Sequence, residues 1–82
     1  MTFDKLTFEE RFDGVQAWVK LPNGYEVSVI KNGLSYGGKK GLYEIGVYKG
    51  EEMADPLGWG DDVKGWLTPD DVEVEIGKIK SI

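Results

Sequence analysis

Apolar and polar residues alternate in register over much of the chain. Val15, Ala17, Val19 and Leu21 occupy every second position, with Gln16, Trp18 and Lys20 opposite. A period of two is the signature of a half-buried strand. Pro22-Asn23-Gly24 follows as a tight hairpin connection, and Tyr25, Val27 and Val29 continue the alternation on the return strand. Residues 42–48 form a further strand with Tyr43, Ile45 and Val47 on one face, and Lys49-Gly50 turns the chain toward a short edge strand over 51–54. Upstream, residues 3–12 read as a strand with a frayed start through Leu6 and Phe8, closed by the Asp13-Gly14 turn. Residues 31–41, with four glycines, read as a loop.

The last third changes character. Asp61 or Asp62 can cap one short helical turn over Val63 to Leu67, although Gly65 weakens it. Thr68-Pro69-Asp70-Asp71 is a stronger start. Thr68 can cap a free N–H, Pro69 suits the first helical position, and the aspartates complement the positive end of the helix dipole. Val72, Ile76 and Ile79 form one stripe at i, i+4 and i+7. Val72, Val74 and Ile76 also alternate with period two, so a strand over 70–76 is the alternative; start signals and length favour the helix. The expected architecture is a single α+β domain over residues 1–82. A small antiparallel β-sheet, a meander of about four strands, is packed by a C-terminal helix.

Composition removes several chemistries. The 82 residues contain no cysteine and no histidine, and arginine occurs once, at Arg11. Thiol nucleophiles, disulfides and the usual neutral-pH general base are therefore absent. No apolar run approaches the length of a membrane span, and the first residues lack a secretory core, so the expectation is a cytoplasmic chain without membrane contact. The formal net charge is −5, and residues 51–75 hold nine acids against Lys64 alone, a net of −8. A chain that binds nucleic acid directly needs a basic stripe, and this distribution is the reverse. An acidic block either keeps the chain soluble or attracts a basic surface on another protein.

Three groups of residues are candidates for chemistry. Ser35-Tyr36-Gly37-Gly38-Lys39-Lys40-Gly41 combines glycines with lysines, which suggests a ligand loop at Ser35, Tyr36, Lys39 and Lys40. It lacks the P-loop spacing and the helix that should follow. Asp55, Asp61 and Asp62 lack the spacing of a calcium loop, so no metal and no cofactor is expected. Adjacent aspartates at 61–62 and 70–71 read as helix-start acids rather than a catalytic pair, which argues against an enzyme. Among the tryptophans, Trp18 falls on the polar-side register, Trp66 is expected to close the end of the core, and Trp59 stands between two glycines among acids. Trp59 is the expected anchor of a partner-binding surface, with Glu51, Glu52, Asp55, Asp61 and Asp62 as steering charges.

A series of short motifs resembles a known group. Pro22-Asn23-Gly24-Tyr25, Val27-Ser28-Val29, Ser35-Tyr36-Gly37-Gly38 and Gly41-Leu42-Tyr43-Glu44-Ile45 are followed by Asp61-Asp62-Val63, Gly65-Trp66-Leu67-Thr68 and Asp70-Asp71-Val72. In this order, over residues 22–72, they look like a family of short, mostly uncharacterised bacteriophage-encoded accessory proteins. Residues 49–60 depart from it, since a strand ending in a Thr-Pro turn is expected there. The resemblance implies no catalytic residue. It implies a small protein in the cytoplasm of an infected bacterium that binds a host protein and inhibits or redirects it, and the acidic block makes a basic surface on that host protein the expectation. An antagonist of CRISPR or another host defence is one example. The alternatives are a self-associating assembly module, for instance a homodimer, and a small-ligand or nucleotide sponge that uses the 35–43 loop.

Overall fold

Alternation becomes antiparallel pairing in the computed structural model, which describes residues 2–11 and 13–82. Phe12, at the end of the predicted first strand, lies outside the described residues. The strands are β1 (Glu9–Arg11), β2 (Gly14–Lys20), β3 (Tyr25–Lys31), β4 (Tyr43–Lys49), β5 (Glu52–Ala54) and β6 (Val63–Leu67). They are followed by one helix, α1 (Pro69–Lys80). The sheet runs β1-β2-β3-β4-β5, and β6 returns to pair with β4 alongside β5. The α+β architecture is as the sequence pattern predicts, with six strands in place of about four and a return to β4 that a pure meander lacks.

Two local expectations are corrected. The N-terminal segment is strand only at β1, because Phe3–Lys5 forms a 3₁₀ turn. This turn carries Phe3 against Phe8 and Tyr43, with ring centroids 5.4 and 5.0 Å apart. The Phe3 amide donates to the Glu73 carboxylate on α1, so the segment closes one end of the core. Residues 63–67 are a strand, not a helical turn. β-branched Val63 suits extended backbone better than helix, Gly65 admits the close approach of Tyr36, where an added Cβ would lie 2.2 Å from Tyr36 Cβ, and Val63 pairs with Gly46, Lys64 with Ile45 and Leu67 with Tyr43.

The core lies between one sheet face and α1. Ala17, Val19, Val27, Val29, Ile45 and Val47 point inward from β2, β3 and β4, and Val72, Ile76 and Ile79 meet them from the helix. Burial of each aliphatic side chain contributes about 1.5–3 kcal/mol. The start of the helix is a full capping box: Asp71 N–H donates to Thr68 Oγ1 and Thr68 N–H donates to Asp71 Oδ2, both at 3.1 Å. Hydrogen bonding to its carboxyl from the Thr68 amide and the Thr68 side chain holds Asp71 below its usual range. Val74, which only the strand alternative would bury, is exposed. At the other end, Asn23 in the β2–β3 hairpin donates from Nδ2 to the Ile79 carbonyl at 2.8 Å. The hairpin, with Gly24 at φ 90°, thus also satisfies the end of the helix. Among the described residues, no helix is long and apolar enough to cross a membrane.

One buried charge sits in this layer. Glu75 is 3% exposed and accepts from Lys64 Nζ at 2.6 Å, while Lys78 Nζ stands 3.3 Å from its other oxygen. Burial pushes its carboxyl upward, but the two ammonium groups together outweigh burial and hold it below the usual glutamate range.

Candidate functional site

Helix α1 covers only one face of the sheet. On the other face the alternation places Gln16, Trp18 and Lys20 of β2, Glu26, Ser28 and Ile30 of β3, and Glu44, Gly46 and Tyr48 of β4. Met53 joins them opposite Tyr48. Trp18 is 50% exposed and packs its ring 5.4 Å from that of Tyr48. Ser28 and Gly46 form the low row between the larger side chains, and the Gln16 amide donates to Ser28 Oγ at 2.8 Å. The result is an uncovered aromatic and aliphatic surface with Trp18 toward one side and Met53 toward the other.

Both borders of this face are acidic. On the β1 side, exposed Glu9 and Glu10 line a hollow of about 210 Å³ together with Thr7, Arg11, Gln16 and Trp18. On the opposite side lie exposed Glu51 and Glu52 at the β4–β5 turn and exposed Asp61 and Asp62 just before β6. The fold therefore gathers four of the six predicted partner-binding residues along one border.

The other two do structural work. Asp55 accepts from the Trp59 amide at 2.7 Å through Oδ1 and from the Gly60 amide at 2.9 Å through Oδ2, which closes the turn before β6. Trp59 is half-buried and packs against the core beside Leu57, so the glycine-flanked anchor expected from the sequence is partly a core residue. Trp66 reverses the opposite expectation. It is 60% exposed and does not close the core. The two residues Gly65 and Trp66 bulge where β4 offers Glu44 alone, which sets Trp66 at φ 61° and turns its ring outward while Leu67 points in.

The 32–41 loop is hydrogen-bonded throughout. Asn32 Oδ1 accepts from the Leu34 and Ser35 amides, both at 2.8 Å, and the Asn32 amide donates to Ser35 Oγ at 2.9 Å. Ser35 is thus a brace. Buried Glu44 accepts the Tyr36 amide at 3.0 Å, and the Tyr36 carbonyl accepts the Trp66 amide at 3.1 Å. Gly38 is needed for closeness, since a Cβ there would lie 1.9 Å from the Asn32 carbonyl oxygen. Tyr36, Lys39 and Lys40 are left exposed on the outside. Among the described residues, no three carboxylates are grouped as metal ligands.

No family model, curated protein or solved structure matches the chain.

Proposed function

We propose that the chain is a non-catalytic protein-binding domain that docks its helix-free sheet face on a basic protein surface. In the bacteriophage setting implied by the sequence resemblance, the partner is a host protein that the domain inhibits or redirects. One observation carries this reading: half-exposed Trp18 stands on the uncovered face beside a hollow that Glu9 borders on the same face. An arginine or lysine of the partner at the rim of that hollow meets the Glu9 carboxylate, which the pairing with Gln16 puts on the Trp18 face, and the face of an indole, a combination of ion pairing and cation–π attraction. Tyr48 and Met53 extend the apolar contact, and Glu51, Glu52, Asp61 and Asp62 steer the approach from the far border.

Charge also weighs against a second copy as the occupant. Glu51, Glu52, Asp61 and Asp62 lie along one border, so two copies stacked with those borders together bring like charge together. The absence of histidine and cysteine supports a role without turnover.

The test is affinity capture from a bacterial host lysate with the parent chain and with Trp18→Asp as paired baits. The reading expects a partner that the parent retains and Trp18→Asp loses, and that elutes as salt is raised. Equal retention by both baits, or retention indifferent to salt, refutes it.

A further inference from the structure

A second surface shares no residue with the sheet face. Trp66 and Tyr36 are 60% and 56% exposed, and their backbones are joined by the Trp66 N–H to Tyr36 C=O bond. With Gly33, Ser35, Gly37, Lys39 and Lys40 they line a hollow of about 360 Å³ whose walls are mainly apolar. That volume lies in the small-ligand range. Residues 31–43 hold Lys31, Lys39 and Lys40 and no acid, the reverse of the segment that follows. Among the described residues, neither Lys39 nor Lys40 makes an ion pair, whereas Lys64 and Lys78 on the other side of Trp66 are occupied by Glu75.

The backbone adds an independent sign. Trp66 is the only non-glycine residue with positive φ among the described residues. A left-handed conformation is unfavourable at a bulky residue and survives where the surroundings over-determine it. Here the surroundings are the Tyr36 carbonyl and the close backbone of Gly37, where an added Cβ would come within 2.9 Å of Trp66 Cα. The strain orients a mostly exposed indole beside two uncommitted ammonium groups.

We propose that this hollow is a binding site for a mononucleotide. The base stacks on Trp66 or Tyr36, and the phosphate is held by Lys39 and Lys40. Stacking on exposed aromatics and phosphate pairing to lysine are the two elements of nucleotide capture without a P-loop. The same chemistry occurs at the end of a nucleic-acid strand. The net charge of −5 disfavours an extended polyanion, which selects the free nucleotide.

The test is an amide NMR titration of the full chain with AMP, adenosine, inorganic phosphate and a longer 5′-phosphorylated oligonucleotide. The proposal expects saturable shifts centred on Tyr36–Gly41 and the Trp66 indole, with AMP binding about tenfold or more tighter than adenosine or phosphate. Trp66→Gly suits the left-handed backbone and should stay folded. It should weaken AMP binding about tenfold. Lys39→Glu with Lys40→Glu should remove the advantage of AMP over adenosine. No saturable shift up to about 10 mM AMP overturns the proposal. So does AMP binding unchanged in folded variants of both kinds. An oligonucleotide that binds more tightly than AMP overturns the free-nucleotide site. None of these outcomes bears on the sheet face, which is read through Trp18.

Discussion

Trp66 permits a comparison in which most contributions cancel. Replacing it by alanine or by glycine removes the same ring and the same partial burial, so the difference between the two variants reports the backbone. At φ 61° alanine keeps the left-handed penalty and glycine does not. Against this, glycine has the more mobile unfolded chain, worth about 0.4–1 kcal/mol in favour of alanine at an unstrained site. A left-handed penalty of about 1–2 kcal/mol exceeds that entropy, leaving Trp66→Gly more stable than Trp66→Ala by about 1 kcal/mol. For a domain of 82 residues this is a difference of about 4–8 °C in melting midpoint. Thermal unfolding followed by far-UV circular dichroism measures it, with urea unfolding as a check on the free energy. An alanine variant equal to or more stable than the glycine variant would show that the bulge relaxes and that no strain is held at Trp66.

Other residues give equally specific outcomes. Lys64→Met leaves buried Glu75 with Lys78 alone and should cost about 1–3 kcal/mol at neutral pH, measured by urea unfolding. Because the Glu75 and Asp71 carboxyls are held low, their contribution is full above the ordinary carboxylate range and is lost as pH falls through their folded values. The Lys64→Met deficit should therefore shrink in acid, and a deficit independent of pH contradicts the ion pair. Gly24→Val places a β-branched residue at φ 90° and should lower stability by about 1 kcal/mol or more; an unchanged melting midpoint counts against this turn. Gly38→Ala sets a Cβ against the Asn32 carbonyl and should cost about 1–3 kcal/mol, with amide exchange rising across 32–41.

The strands that alternate cleanly, β2, β3 and β4, and the helix with its Thr68-Pro69 start could be read from the sequence because local pattern and tertiary burial agree there. The β6 strand could not. Val63-Lys64-Gly65-Trp66-Leu67 has no clean period, and its conformation comes from pairing with β4 some twenty residues earlier. The same long-range bulge inverts the expected roles of the tryptophans. Trp66 looked like a core residue because it precedes the helix, and Trp59 looked free because glycines flank it, yet Asp55 folds Trp59 back onto the core. Buried Glu75 gave no sign beyond its position three residues after Val72 on the inward stripe. The register of Trp18 alone assigns it to the face opposite Val15, Ala17 and Val19. Glu9 and Glu10 come beside it only through the pairing of Glu9 with Gln16.

Binding kinetics between the captured partner and two variants test the central claim most directly. Trp18→Ala removes a predicted buried anchor and should speed dissociation about thirtyfold, equivalent to about 2 kcal/mol, with association little changed. Glu51, Glu52, Asp61 and Asp62 changed together to the corresponding amides should slow association and flatten its salt dependence, with dissociation little changed. If Trp18→Ala dissociates like the parent while remaining folded, the helix-free face is not the docking surface.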